Sequence, residues 1–195
     1  MKVFGLTGGI GMGKSTAARL LAGRAAPVID TDDLARQIVE PGQPALAELR
    51  LAFGHEVIAP DGRLNREALA AIAFSNPAAR RQLEVITHPR ILTLWQEQIK
   101  GWRAESHPFA VVVIPLLFET AAETQLDATV CVACSAATQQ QRLRERGWSS
   151  EQIQQRLAAQ WPVEKKMGRS DFVVWSEGGL DVLAGQLDRI FPPAK

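Results

Sequence analysis

The sequence carries almost no net charge, only two cysteines and no long apolar run. Lysine and arginine (22) nearly balance aspartate and glutamate (21), a formal charge of +1. That balance gives no general attraction to nucleic acid or to an anionic membrane. No apolar stretch reaches spanning length, and no basic stretch followed by an apolar core precedes the first apolar run, so a cytoplasmic location is expected. The cysteines form one Cys-x-x-Cys, Cys131 and Cys134, while His55, His88 and His107 lie far off in sequence without ligand spacing. A zinc site needs a second ligand pair, and both cysteines fall in the apolar run 128–134. They therefore read as core packing rather than as redox or metal chemistry. The only asparagines are Asn65 and Asn76, neither followed by lysine. A GTP-binding switch would want an Asn-Lys-x-Asp guanine reader, and the sequence has none. Internal repeats and low-complexity tracts are also absent. At 195 residues the chain has room for one sizeable core with small appendages.

What the sequence does have is Gly8-Gly9-Ile10-Gly11-Met12-Gly13-Lys14-Ser15, a full match to the phosphate-binding loop G-x-x-x-x-G-K-[ST]. It lies between the apolar run Val3-Phe4-Gly5-Leu6 and the helix-forming run that begins at Ser15-Thr16. Strand, loop and helix in that order are the context this motif requires. The glycines let backbone N–H groups converge on an anion, and the helix N-terminus adds a positive dipole end. Lys14 supplies a mobile charge for the outer phosphates, and the Ser15 hydroxyl can ligate the magnesium that accompanies them. The bland alternative is a tight glycine turn. The context favours a nucleoside triphosphate site.

Apolar runs at 3–6, 27–30, 109–114, 128–132 and 172–174 read as strands alternating with helices. The pattern predicts an α/β fold of the three-layer P-loop kinase type, a five-stranded parallel sheet flanked by helices. In such open sheets ligands sit beyond the C-terminal strand ends. The core is expected over about 1–41, 108–134 and 169–191. Between the second and third strands lies a helical stretch, about 42–107, too large for a loop and too small for a separate core. It reads as an acceptor-binding insertion. Within it Asp61-Gly62 marks a turn, Asn65 reads as the N-cap of a helix over 66–74, and Pro77 and Pro89 each fit the first turn of a further helix. A second excursion, about 135–168, is polar and stands where a nucleotide kinase carries its lid. Ser135 is expected to cap a helix ended by Gly147, Ser149 with Gln152 makes a capping-box pattern, and Pro162 opens a short basic segment. The tail at Pro192-Pro193 is expected to fray.

Phosphoryl transfer needs charge neutralisation and a positioned acceptor more than covalent help. Asp30-Thr31-Asp32 follows the second strand. A carboxylate there can orient an acceptor hydroxyl, take its proton or hold a magnesium-bound water; the alternative is that Asp30 or Asp32 only caps a helix over 33–40. Arg142 and Arg146 share a helix face at i, i+4 and can converge on phosphate, whereas Arg144 reads as a solvated residue. His88 before Pro89 has the plain reading of a helix-boundary histidine, and the five tryptophans that of packing residues.

Taken together, these segments resemble the dephospho-CoA kinase family over nearly the whole chain. The resemblance is carried by the glycine loop, then Val28-Ile29-Asp30-Thr31-Asp32-Asp33-Leu34-Ala35-Arg36, Glu40-Pro41-Gly42, His88-Pro89 and Pro115-Leu116-Leu117-Phe118-Glu119. It continues with a lid pattern through Gln139, Arg142, Arg146, Arg156 and Gln160 to Lys165. It implies an ATP-dependent kinase that phosphorylates the 3′-hydroxyl of dephospho-CoA with Mg2+, giving coenzyme A and ADP. It further implies that Asp32 is the base, that Lys14 and Arg142 serve catalysis, and that Gly11, Met12, Gly13, Lys14, Ser15, Thr16 and Arg146 bind ATP. Arg36, His88, Leu116 and Glu119 are placed around the acceptor, with Asp32 at its hydroxyl. Met12 departs from the usual Ser at a position used through its backbone, and Ser176 stands where Asn is usual near the adenine. The expected partners are ATP and dephospho-CoA, without nucleic acid or membrane, in a monomer or weak homo-oligomer. The rival on the same scaffold is another small-molecule or nucleoside-monophosphate kinase.

Overall fold

A computed structural model describes residues 1–24, 26–105 and 107–191. The expected fraying at Pro192-Pro193 lies outside the described residues. Five strands, β1 (Lys2–Thr7), β2 (Val28–Asp30), β3 (Phe109–Val113), β4 (Ala128–Ala133) and β5 (Phe172–Trp175), form one parallel sheet in the order β2-β3-β1-β4-β5. The register pairs Phe4 with Val111 and Ala128, and Leu6 with Val113 and Val130. The central strands β1, β3 and β4 are almost wholly buried, which their continuous apolar runs anticipate. β5 is an edge strand and buries only Val174.

Side-chain alternation sorts the sheet into two faces. Phe4, Leu6, Val111, Val113, Val130 and Val132 join one core with Leu21 of α1 (Lys14–Ala22) and Leu183 and Leu187 of α9 (Leu180–Ile190). Phe4 and Phe191 meet edge-on with ring centroids 4.7 Å apart, and Phe109 lies 5.1 Å from Phe191. Truncating Phe4 to alanine would cost about 3–5 kcal/mol at such a site. On the opposite face Gly5 leaves room for Leu117 and Leu126; a Cβ there would come within 2.4 Å of Leu126.

The chain divides into two compact units, residues 1–29 with 101–195, and residues 30–100. The second unit contains α2 (Thr31–Gln37), α3 (Pro44–Phe53), α4 (Arg66–Ser75) and most of α5 (Pro77–Ala104). The expectation that the helical stretch is too small for a separate core is corrected here by the structure: this unit buries Ile38, Val39, Leu49, Phe53, Val57, Leu69 and Ile86 in a cluster of its own, because its helices pack their apolar faces on one another. Asn65 caps α4 by accepting from the Ala68 N–H at 3.1 Å. The Asp61-Gly62 turn folds back through bonds between Ala59 and Arg63 and between Gly62 and Ala59.

Two local expectations are corrected here. Pro89 starts no new helix; it lies inside the 28-residue α5. A proline there removes one N–H and would kink an isolated helix. The carbonyl it leaves without its i+4 donor belongs to Val85, a residue 73% exposed. Around it, Arg90 donates to the Ile86 carbonyl and Thr93 to the Pro89 carbonyl. A buried face of Ala79, Ile86, Trp95 and Ile99 runs through the proline. The second correction concerns α2, which begins at Thr31 and spans Thr31–Gln37 rather than 33–40. Asp30 is its N-cap, accepting from the Asp32 N–H at 2.9 Å, so Asp32 is not a cap.

In the first unit α6 (Ala136–Glu145), α7 (Ser150–Ala158) and α8 (Val163–Arg169) follow β4. Ser135 caps α6, Gly147 turns the chain at φ 80°, and Ser149 with Gln152 forms a reciprocal capping box. Among the described residues no helix is long and apolar enough to cross a membrane.

Candidate active site

The glycine loop leaves the C-terminal end of β1 and enters α1 through Gly13, which has φ 90° and no side chain with which to cap the helix. Its tightness explains two of its glycines. At Gly8, φ is 139° and a Cβ would stand 2.1 Å from the Val132 carbonyl oxygen of β4. At Gly13 a Cβ would press against Ser176 at 3.0 Å. The Lys14 ammonium folds back onto the loop and donates to the Gly8 and Gly9 carbonyls at 2.8 and 2.9 Å. Ser15 is exposed at the first turn of α1. An exposed hydroxyl is a hard oxygen donor suited to magnesium, which keeps several waters and takes its remaining ligands from phosphates. The donor set therefore fits that ion.

The loop is gripped from the helices that follow β4. Gln139, buried on α6, donates from Nε2 to the Ile10 carbonyl at 2.7 Å, and Gln160 accepts the Ile10 N–H at 3.1 Å. Both polar groups of one loop residue are thereby held by side chains. Ser176, 8% exposed after β5, donates to the Met12 carbonyl at 2.8 Å. Arg142 donates from Nη1 to the Ser176 hydroxyl at 2.9 Å and from Nη2 to the Ser176 carbonyl at 2.7 Å, with a longer contact of 3.5 Å to the Gly11 carbonyl. Ser176 is thus a joint between Arg142 and the loop. Arg146, one turn on, is exposed at the C-cap of α6, and Arg144 is exposed too. A cavity of about 710 Å3 lies beside the loop, walled by Gly9, Met12, Gln139, Gln160, Trp161 and Met167 among others.

The turns after β4 and β5 are latched by Glu177. It accepts from the Ser135 N–H at 2.9 Å, from the Ser135 hydroxyl, and from the Trp175 ring N–H at 2.7 Å. Bonds from Ser135 first, then Thr138 and Trp175, hold its carboxyl down at about 2. Cys131 and Cys134 are both buried and free. Burial pushes the Cys131 thiol up to about 11 and raises that of Cys134, which opposes thiolate chemistry.

The residues expected around the acceptor are distributed differently. Glu119 and Leu116 lie in the segment after β3. Leu116 is half-buried, and the Glu119 carboxylate turns inward onto Lys166 and the Trp161 N–H, each at 2.8 Å. Asp32, Arg36 and His88 belong to the second unit and are exposed. Asp32 and Arg36 share one face of α2 at i, i+4, and Arg36 pairs with Asp33 at 2.5 Å. His88 sits mid-helix on α5 rather than at a helix boundary. Burial raises the Asp30 carboxyl against the lowering effect of its bond from the Asp32 N–H, and the negative charges of Asp32 and Asp33 raise it further. Buried Lys166 follows Lys165 of the lid pattern, and no signal in the basic run separates the buried lysine from the outer one.

A family model described as CoaE, dephospho-CoA kinase, matches residues 2–181. The chain is 50% identical over 191 residues to the dephospho-CoA kinase of Anaeromyxobacter dehalogenans, covering 97% of this chain and 90% of that one. It is 38% identical over 190 residues to that of Bdellovibrio bacteriovorus, covering 97% and 94%. Among solved structures, TT1252 from Thermus thermophilus superposes with a TM-score of 0.87 at 35% identity, covering 100% of this chain and 98% of that one. The dephospho-CoA kinase from Campylobacter jejuni superposes with a TM-score of 0.71 at 24% identity, covering 96% and 94%, a likeness of fold.

Proposed function

Because the chain belongs to the dephospho-CoA kinase family, we propose that it transfers the outer phosphoryl group of ATP to the 3′-hydroxyl of dephospho-CoA. The products are coenzyme A and ADP, and the reaction is the last step of coenzyme A biosynthesis. The observation that carries this reading is the gripped glycine loop with Lys14 folded onto the Gly8 and Gly9 carbonyls. An incoming triphosphate replaces those two carbonyls as partners of the Lys14 ammonium, while backbone N–H groups from Gly11 to Thr16 cradle its oxygens. Ser15 would hold magnesium, which would supply neutralisation of charge on the outer phosphates.

Asp32 takes the proton of the 3′-hydroxyl as that oxygen attacks phosphorus and the bond to the ADP oxygen breaks. Its exposure leaves it open to a substrate, and Asp30 fixes the start of its helix. Arg36 is an easily exchanged partner, since an exposed i, i+3 pair is worth little. With His88 and Leu116 it contacts the acceptor. The helical stretch 42–107 grips the parts of the acceptor remote from the reacting hydroxyl, and 135–168 supplies the lid. Arg146 reaches the nucleotide from the end of α6, and Arg142 serves transfer from its place against the loop.

The test is to incubate the purified chain with ATP, magnesium and dephospho-CoA, identify coenzyme A by mass and locate the new phosphate by 31P–1H correlation. A 3′-phosphate is expected. Phosphorylation elsewhere on the acceptor removes the placement of Asp32.

A further inference from the structure

Lys165 and Lys166 are neighbours in one basic run, yet the fold treats them as opposites. Lys165 lies over the Trp161 ring, with Nζ 3.3 Å from its centroid. Lys166 has no exposed surface at all. Its Nζ donates to the Pro115 carbonyl at 2.7 Å and pairs with Glu119 Oε1 at 2.8 Å. That same Oε1 accepts the Trp161 N–H, which belongs to the connection between α7 and α8. The Pro115 carbonyl also accepts from the Thr7 hydroxyl at 3.3 Å, and Thr7 is the last residue of β1 before the glycine loop. One ammonium therefore joins α8, the segment that follows β3, and the root of the phosphate loop.

A buried ion pair is a poor device for stability alone, because well-packed apolar side chains of similar size do as well or better. It is a good device for fixing geometry, since both charges demand one arrangement of donors and acceptors. We propose that Lys166 is a positioning residue for phosphoryl transfer, acting through Glu119 and the Pro115 carbonyl to hold segment 115–119 and α8 in register with the loop. The proposal rests on the reading of Leu116, within that segment, as an acceptor contact. Glu119 then acts through Lys166 rather than on the acceptor. α8 is a fixed post: its Val163, Glu164 and Met167 line the same cavity as Gly9 and Met12. Of the proposed lid stretch 135–168, α8 is then the anchored end, and the part N-terminal to Trp161 is the part left to move.

The experiment compares Lys166→Met, Glu119→Gln and the double variant with the wild-type chain. It measures kcat and both KM values well below each variant's unfolding midpoint, and follows amide exchange across 115–119 and 161–169. Lys166→Met leaves the Glu119 charge buried without its partner, so its midpoint falls. Its kcat is expected to fall about tenfold to a hundredfold, as small misplacements of reacting groups do, with KM for ATP changed less than about threefold. Glu119→Gln in the Lys166→Met background removes the stranded charge and restores the midpoint, while kcat stays low because the register is still lost. Exchange in both segments is faster in both Lys166→Met proteins than in wild type. Wild-type kcat in either folded Lys166→Met protein overturns the proposal, as does full recovery of kcat alongside the midpoint in the double variant. Exchange in the two segments as slow as in wild type overturns it too. Failure of the wild-type chain to phosphorylate dephospho-CoA is a separate result; it removes the acceptor reading, and the exchange measurement still decides whether Lys166 holds these segments.

Discussion

Around the glycine loop, in the unit formed by residues 1–29 and 101–195, polar side chains are committed to the protein itself. Gln139 and Gln160 hold Ile10, Ser176 holds Met12, Arg142 holds Ser176, and Lys14 bonds the loop carbonyls. In the unit of residues 30–100, Asp32, Arg36 and His88 stand exposed on α2 and α5. Under the proposed function, the first unit contributes through the preorganisation of these loop contacts. Under the same proposal, the exposed groups of the second unit are organised by the acceptor, through binding energy from its remote parts. Mutations should separate the two: changes at the loop strike the transfer of charge itself, and changes in the helical unit strike the acceptor.

The largest effect is expected at Lys14. Lys14→Ala should lower kcat by about 10³–10⁵-fold, the scale of a cation that stabilises phosphoryl-transfer charge, with the unfolding midpoint little changed. Turnover near wild type would dissolve the contrast, because the built site would then be idle. Next comes Asp32→Asn, which keeps the shape but cannot take a proton; kcat should fall about 10²–10⁴-fold while ATP affinity stays within a few-fold. Asp30→Asn should be far milder, since asparagine caps a helix as well as aspartate. An equal loss in both variants would mean that the helix start, not the base, is what matters.

Arg142→Ala sharpens the comparison from the other side. It removes charge-assisted bonds to Ser176 and the contact with Gly11, each such bond worth about 1.5–3 kcal/mol. A loss of about tenfold to a hundredfold in kcat/KM for ATP is expected, with kcat lowered as well. A change confined to KM for dephospho-CoA would move Arg142 to the acceptor side.

The smallest effect concerns the Glu177 latch, through pH. Its carboxyl lies at about 2 in the folded chain against an ordinary 4.5. A depressed acid contributes stability that is fully present above its unfolded value and is lost as pH falls through its folded one. Between about pH 4.5 and 2 the unfolding midpoint of the wild type should therefore drop more steeply than that of Glu177→Gln. Parallel curves over that window would show that the latch does not discriminate between folded and unfolded chains.

Much of this molecule was legible in the sequence because its signals are local. Buried parallel strands announce themselves as unbroken apolar runs, and Asn65, Ser135 and the Ser149/Gln152 pair mark helix starts that the fold keeps. Three things were not legible. Pro89 obeys a rule about isolated helices that is overridden when a buried face, here Ala79, Ile86, Trp95 and Ile99, continues through it. In Asp30-Thr31-Asp32 two carboxylates two residues apart both satisfy the capping pattern, and only the backbone decides that Asp30 caps. Lys166 lies in a short basic segment with nothing local to mark it as buried. Its burial depends on Pro115 and Glu119, about fifty residues away in sequence, and no local pattern carries that pairing.

The most direct test of the account is the acceptor preference of the purified chain, read as ADP release with magnesium and ATP. Dephospho-CoA, AMP, adenosine, shikimate and gluconate are compared at matched concentrations. The account predicts that dephospho-CoA is preferred and that AMP and adenosine lose kcat as well as affinity, because the remote arm of the acceptor helps to place its 3′-hydroxyl against Asp32. Preference for any acceptor without the pantetheine arm would contradict it.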